Sequence, residues 1–275
     1  MPPDRPPTAL TVVGSVNLDL VARVERLPRP GETLTATAYE RIAGGKGANQ
    51  ALAAARLGAD VRFVGCVGRD AYADEALANL GALRLDVFDV DAPTGVAMIL
   101  VDDDGENEIV VVPGANAELP RLADRWEVSG AVLCQLEVPD AALEHARAGA
   151  DWLCVNAAPA RPLPVGADLV VANRYELDAI GAQAGLVALT LGSDGALLLE
   201  DGEEVARAAA PSVDAVDGTA AGDAFTACLV VSLLEGRARG DALRRACAAG
   251  AVAASRFGAQ PSLPTADEVD AILRA

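Results

Sequence analysis

Ala131-Val-Leu-Cys134, Trp152-Leu-Cys-Val-Asn156 and Leu169-Val-Val-Ala172 are three short apolar runs with no polar alternation, the first two separated by a helical stretch at 140–148. A strand with one face in water alternates apolar and polar residues; a continuous apolar run belongs to a strand covered on both faces. The region 131–172 therefore predicts mostly parallel strands buried between helices. Working outward, Leu186–Leu191 and Ala196–Leu199 continue the series downstream, and Leu10–Val13 and Val61–Val64 open it upstream. Helices are predicted at 48–57 and 71–80, closed by Gly58 and Gly81, and at 222–235, 239–256 and 265–274. This is the pattern of a doubly wound α/β fold with helices flanking the sheet.

Two segments do not fit that alternation. Leu18, Leu20, Ala22 and Val24 form an imperfect period-two stripe before Pro28-Arg-Pro-Gly31, and 96–101 and 108–112 flank the polar turn Asp102–Asn107 as a hairpin. Asp102–Asp104 lacks the glycine and distal glutamate positions of a calcium loop, so a solvated turn is expected there. Strands inserted at about 15–37 and 95–113 read as a small β lid over a site. With no linker or internal repeat, 1–275 reads as one domain, and the Pro-rich residues 1–8 are expected to be disordered.

A formal charge of −18 disfavours nucleic-acid and anionic-membrane partners, which reward clustered cations. It leaves room for an anionic nucleotide held by local amides and cations, since salt screens the global field within roughly 10 Å. Five cysteines, widely spaced and without a CxxC pair, read as buried thiols. No uncharged apolar stretch is long enough to span a bilayer, and a soluble, cytoplasmic protein is expected. The single histidine, His145, argues against a zinc site or a Ser-His-Asp triad.

Two motifs carry chemistry. Gly218-Thr-Ala-Ala-Gly-Asp-Ala-Phe225 joins a turn of small residues to an apolar helix. The amides of Ala220, Ala221 and Gly222 would face outward at the helix N-terminus, where free N–H groups and the dipole favour phosphate oxygens. Asp223, beside such an anion hole, is placed to take a proton from an attacking hydroxyl; the bland alternative is that Gly222 and Asp223 only start a helix. The second motif is Ala43-Gly-Gly-Lys-Gly-Ala-Asn-Gln50. Of 22 cationic residues, Lys46 is the sole lysine, a compact point charge where every other cation is a planar arginine. Glycines 44, 45 and 47 are expected to let the backbone approach a ligand closely. Lys46 is followed by Gly47, so this is no Walker A loop.

In order along the chain, Gly14-Ser-Val-Asn-Leu-Asp19, Gly44–Gln50, Gly105-Glu-Asn107, Pro113-Gly-Ala-Asn116, Gln135-Leu-Glu137, Asn156–Ala160, Thr190-Leu-Gly-Ser193, Val216–Asp223 and Gly258–Ser262 together resemble the ribokinase-like (PfkB) family of ATP-dependent carbohydrate and nucleoside kinases. The resemblance covers nearly the whole chain. It implies that Asn17, Asp19, Gly45, Lys46, Asn49 and Glu137 contact a sugar. It further implies that Asp223 is the catalytic base, assisted by Lys46 and the amides of Ala220, Ala221 and Gly222.

On the nucleotide side the resemblance implies Thr190, Leu191, Gly192, Ser193, Asp194, Gly195 and Gly222, with Cys247 in the adenine wall where the family often has a polar or imidazole side chain. Asn173 and Glu176 would organise Mg²⁺ through water. Asp217, Thr219, Ala253, Arg256, Gly258 and Ser262 would surround K⁺, largely through carbonyls. The segment 177–189 is shorter than the family's usual helical excursion. The implied reaction is phosphorylation of D-ribose at its primary hydroxyl by ATP, in a homodimer joined through the lid. A kinase for another sugar or a nucleoside, or a catalytically silent sensor on the same fold, are the alternatives. Nucleoside specificity would ask for more lid aromatics than a chain with 3% aromatic residues supplies.

Overall fold

The computed structural model describes residues 8–103, 106–181 and 185–274. Its strands are β1 (Ala9–Val13), β2 (Asn17–Arg23), β3 (Ala38–Gly44), β4 (Asp60–Gly68), β5 (Arg84–Val90), β6 (Gly95–Val101), β7 (Asn107–Val112), β8 (Ala131–Gln135), β9 (Trp152–Asn156), β10 (Leu169–Asn173), β11 (Leu186–Thr190), β12 (Ala196–Glu200) and β13 (Glu203–Ala208). The helices are α1 (Lys46–Arg56), α2 (Ala71–Leu77), α3 (Asp140–Gly149), α4 (Arg174–Ile180), α5 (Ala221–Leu234), α6 (Arg239–Ala254), α7 (Ala259–Ser262) and α8 (Ala266–Ile272).

Among the described residues the main sheet has nine strands in the order β13-β12-β11-β10-β9-β8-β1-β4-β5. Pairing is parallel from β11 through to β5, and β12 alone is reversed, pairing antiparallel with β11 on one side and β13 on the other. Two buried clusters explain the continuous apolar strands. On one face α1, α5 and α6 pack Ala48, Leu52, Phe225, Leu229 and Leu243 against alternate strand residues such as Leu10, Val12 and Leu133. On the other, α3 and the segment around Trp126 cover Val13, Val132, Cys134 and Val155. Helix α5 is apolar all round and buried for most of its length, as a helix wedged between sheet and neighbouring helix must be.

A second sheet, β3-β2-β6-β7, stands apart with a small apolar cluster of Val21, Ala97 and Ile99 on its inner face. Strand β2 pairs antiparallel with β3 and parallel with β6, and β6 pairs antiparallel with β7. The span expected for the first lid strands, 15–37, needs correction. It holds β2 alone, and β3 begins at Ala38 because Pro28, Pro30 and Gly31 interrupt the chain between them.

Elements absent from the sequence reading include β3, α7, β5 and β13, the last two at edges of the main sheet with one wet face, and a 3-10 stretch over Gly114–Arg125 interrupted by Pro120. Of the expected disordered start, residues 1–7 lie outside the described residues, whereas the Thr8 carbonyl accepts the Asp60 amide at 2.9 Å. The Asp102–Asn107 turn lies partly outside them too, at 104 and 105.

Candidate active site

The ends of β1, β8, β9, β10 and β11 open on the same edge of the main sheet, where parallel α/β sheets bind ligands. Strand β1 ends at Val13, and the chain turns through Gly14 and Ser15 into β2. Asn17 and Asp19, two apart on β2, share one face and are 2% and 6% exposed. Asn17 Oδ1 accepts from Asn116 Nδ2 at 2.8 Å, and the same Asn116 side chain bonds both the N–H and the carbonyl of Val16, pinning the start of β2.

The glycines of the lysine motif do something other than expected. A Cβ on Gly44 would overlap the Asp19 carboxylate, and one on Gly47 would overlap the backbone of Gly14 and Ser15. Gly45 sits at φ 88° as the residue before α1. These glycines let α1 start against the β1–β2 turn; the close approach they permit is to the protein's own backbone and to Asp19.

Lys46 is thereby fixed as the first residue of α1. Its N–H donates to Glu137 Oε2 at 3.0 Å, and Ser15 Oγ donates to the same oxygen at 2.5 Å while accepting the Gly47 N–H at 3.2 Å. Burial opposes charge on the Lys46 ammonium, but the carboxylates of Asp223, Glu137, Glu176 and Asp19 outweigh it and hold its pKa above the ordinary lysine value. Among the described residues the ammonium makes no hydrogen bond or ion pair with any of them. It is a cation in a ring of carboxylates with its donors free.

Asp223 lies in the first turn of α5 and is 3% exposed. Asn49 Nδ2 donates to its Oδ2 at 2.9 Å and Gln50 Nε2 to its Oδ1 at 2.8 Å. Burial pushes this carboxyl up, opposed by Lys46, Asn49 and Gln50, and the net direction is upward. Asp19 is pushed up to about 7, first by burial and then by Glu137 and Asp223. Asn49 Oδ1 is buried with no protein partner. An orphaned buried acceptor on the side chain that also bonds Asp223 fits a ligand hydroxyl.

At the start of α5 the expected amide cup differs in one member. The Ala221 N–H turns back to the Gly218 carbonyl at 3.2 Å, whereas the N–H groups of Ala220, Gly222 and Asp223 meet no acceptor among the described residues. The open donors are thus 220, 222 and 223, because the tight turn at 218–221 consumes the amide between them. No side chain caps the helix.

Beyond Gly222 lies a cavity of about 540 Å³ lined by Thr190, Gly192, Ser193, Gly195, Gly222 and Cys247, together with Val213, Phe225 and Ala251, which the sequence reading did not single out. Leu191 and Asp194 do not line it: the Leu191 N–H closes the turn onto Gly195 at 2.8 Å, and Asp194 points to solvent. Cys247 Sγ lies 3.8 Å from the Ala208 carbonyl, and burial pushes its thiol up to about 11. The wall it forms is apolar.

Asn173 and Glu176 lie at the end of β10 and in α4 and bond each other first. Asn173 Oδ1 accepts the Glu176 N–H and Glu176 Oε2 accepts the Asn173 N–H, both at 2.8 Å, a reciprocal capping box. Glu176 is nevertheless half-buried, and burial raises its pKa against the pull of the Asn173 amide and Lys46. Among the described residues no group of three or more His, Cys, Asp or Glu side chains could hold a metal ion.

Of the set expected around a monovalent cation, Asp217, Thr219 and Gly258 meet. Asp217 Oδ1 accepts the Thr219 N–H at 2.9 Å and its hydroxyl at 2.5 Å, and Oδ2 accepts the Gly258 N–H at 2.9 Å. The Ala253 carbonyl takes the Arg256 N–H at 3.1 Å, the Arg256 guanidinium pairs with Glu268 at 2.5 Å, and Ser262 Oγ bonds Ala259 O at 2.8 Å. Side chains here serve one another, so only backbone carbonyls remain for an ion.

The architecture and the site place the chain among known proteins. The model of the pfkB family carbohydrate kinases matches residues 7–266. The chain is 35% identical to the ribokinase of Lactococcus lactis over 97% of each protein, and 36% identical to that of Bacillus subtilis over 96% of this chain and 99% of the relative. It resembles the crystal structure of ribokinase from Thermotoga maritima with a TM-score of 0.87 at 34% identity, covering 98% of this chain and 100% of that one. It also resembles Arabidopsis thaliana ribokinase complexed with ribose and ATP, with a TM-score of 0.82 at 31% identity and coverage of 98% and 100%. A doubly wound sheet carrying a small second sheet, an acid at the mouth of a helix N-terminus and matches of this length have one reading: the chain belongs to the pfkB family of carbohydrate kinases.

Proposed function

We propose that the protein transfers the γ-phosphoryl group of ATP to the primary hydroxyl of D-ribose, giving ribose 5-phosphate and ADP. The observation that carries this reading is the Asp223 carboxylate. It is buried, held by two amide donors, and set between an orphaned acceptor on Asn49 and the open N–H groups of α5. The relative from Arabidopsis was solved with ribose and ATP, the two substrates of this reaction.

In this mechanism Asp19, Asn17, Asn49 and Glu137 hold the sugar hydroxyls, and Asp223 accepts the proton of the primary hydroxyl as its oxygen attacks γ-phosphorus. The new P–O bond forms as the bond to the ADP oxygen breaks. The N–H groups of Ala220, Gly222 and Asp223 and the free ammonium of Lys46 face the charge on the transferring group, the main electrostatic demand of such a step. ATP occupies the cavity beside Gly222, its base against the apolar wall at Cys247.

Mg²⁺, when bound, neutralises phosphate oxygens, and Glu176 with Asn173 would hold it through water. A half-buried glutamate, with no group of three or more side chains among the described residues placed to chelate a metal, fits an ion that keeps most of its own waters. The loop around Asp217 would take K⁺ through its carbonyls. The second sheet closes over the sugar and excludes water.

The enzyme is proposed to work in the cytoplasm as a homodimer. Among the described residues no helix is long and apolar enough to cross a membrane, and five free buried cysteines suit a reducing compartment. Strand β7 is the outer edge of the second sheet and exposes Ile109, Val110, Val111 and Val112, an edge that a twin copy would cover.

The test is a coupled ATP assay across D-ribose, 2-deoxyribose, other pentoses, hexoses and nucleosides. A listing of rates led by D-ribose is expected. The comparison with 2-deoxyribose is informative because a relative at 32% identity, from Salmonella typhi, is a deoxyribokinase. Ligand-induced melting shifts without ADP formation from any substrate would instead favour a silent sensor.

A further inference from the structure

We propose that Gln50 is a positioning residue. Locked in one orientation by Gln135 and Asn156, it holds the Asp223 carboxylate in the attitude needed to receive the hydroxyl proton. This rests on the reading of Asp223 as the base.

Behind Asp223 lies a line of buried amides, Gln135, Gln50 and Asn156, which are 0%, 0% and 7% exposed. Gln135 Nε2 donates to Gln50 Oε1 at 2.7 Å. Gln50 Nε2 donates to Asn156 Oδ1 at 3.0 Å and to Asp223 Oδ1 at 2.8 Å, and Asn156 Nδ2 donates to the Val171 carbonyl at 3.2 Å. All of these bonds have one polarity. Turning the Gln50 amide over would set its oxygen against the Asp223 and Asn156 oxygens and its NH₂ against that of Gln135, losing three bonds in a dry interior. The end of the amide that faces Asp223 is therefore always a donor.

The neighbouring residue shows why the role is particular to Gln50. Asn49 also donates to Asp223, but its Oδ1 is buried and unpartnered, so Asn49 has an atom left for the sugar. Both polar ends of Gln50 are spent inside the protein, so it acts on the reaction only through Asp223. The charged groups sharing the field of Asp223 are Lys46, Glu137, Asp19 and Glu176, and none belongs to the amide line. Neutral amides neither take up nor release a proton there, so the line orients the base without draining it.

The test is a double-mutant cycle on the full chain, with Gln50→Met, Asp223→Asn and both together, read by kcat, sugar KM, the pH profile of kcat and thermal melting. Gln50→Met is expected to lower kcat about 10- to 100-fold, the range seen when an outer partner orienting an active group is removed. The sugar KM should change less than about 3-fold, by the division of roles above. Removing a donor to the carboxylate favours its protonated form, so the acid limb of kcat should move to higher pH. The double variant should be no slower than Asp223→Asn alone.

Additive losses in the double variant, or an unmoved acid limb in Gln50→Met, overturn the proposal while leaving Asp223 as the base. Near-normal turnover by Asp223→Asn overturns the base assignment itself, and the proposal with it. If Gln50→Met does not fold, Gln135→Met removes the lock and keeps the donor. With the donor held less firmly but not removed, it should move the limb in the same direction by less and with a smaller loss of kcat, and an unmoved limb there overturns the proposal equally.

Discussion

The two halves of the cleft are built from different materials. On the side proposed for the sugar, three functional side chains are held by named partners: Glu137 by Ser15 and the Lys46 backbone N–H, Asn17 by Asn116, Asp223 by Asn49 and Gln50. On the nucleotide side the cavity of about 540 Å³ is walled by glycine turns and small apolar residues. The sugar half is a rigid polar constellation in which one lost atom leaves a buried partner stranded. The half proposed for the nucleotide is a shaped, largely apolar slot, where small substitutions should cost less. Specificity for a hydroxylated ring belongs in the first, and broad grip on a flat base in the second.

That contrast can be broken or sharpened by substitution. Asp223→Asn should reduce kcat about 10²- to 10⁴-fold, the usual range for a general base, with ATP binding retained. Lys46→Met removes a buried cation that makes no hydrogen bond or ion pair among the described residues, and should cost about 10²- to 10³-fold in kcat, as losing one preorganised donor does at other sites. If ATP affinity falls instead and kcat holds, Lys46 belongs to ground-state binding.

Smaller effects should divide by half. Asn49→Ala deletes the orphaned acceptor and should raise the sugar KM by about 1–3 kcal/mol in binding terms. Cys247→Ala, at the apolar wall, should alter the ATP KM by no more than about 10-fold, the low end for trimming a hydrophobic pocket. Equal sensitivity of the two halves would remove the distinction drawn between them.

The electrostatics add a pH signature. The Asp19 carboxyl is pushed from 3.8 up to about 7, so between those values the folded protein binds a proton that the unfolded chain has released. Stability should therefore fall as pH rises through that window. Denaturant titrations of the ligand-free protein and of Asp19→Asn should show the slope reduced in the variant, and identical slopes would mean that Asp19 is not the group responsible.

The sequence made the parallel sheet readable because buried strands such as Val170–Ala172 and Leu153–Val155 have no polar residue to hide. Strands β3, β5 and β13 were not legible: Tyr39, Glu40, Asp86, Glu203 and Glu204 give wet edges with weak periodicity. In the cleft, the motifs pointed to Asp223, Lys46, Asn49 and Glu137, which the fold gathers together. They did not distinguish their supports. Gln50, Gln135, Asn156, Ser15 and Asn116 matter through long-range partners that no local spacing encodes, although an uncharged polar residue inside an alanine-rich buried helix was a usable signal for Gln50.

The glycines of 44–47 also depended on tertiary geometry, since a glycine admits close approach without saying to what. Leu191 and Asp194 flank the cavity without lining it; of the same turn, Thr190, Gly192, Ser193 and Gly195 reach it.

The central claim is that a preset, buried Asp223 takes the hydroxyl proton at the mouth of α5. Single-turnover phosphoryl transfer with saturating ATP and D-ribose, compared in wild type and Asp223→Asn with ATP affinity measured on the same preparations, tests it most directly. Loss of the transfer step by at least about 10²-fold with ATP affinity nearly unchanged is expected. Transfer within a few-fold of wild type would contradict it.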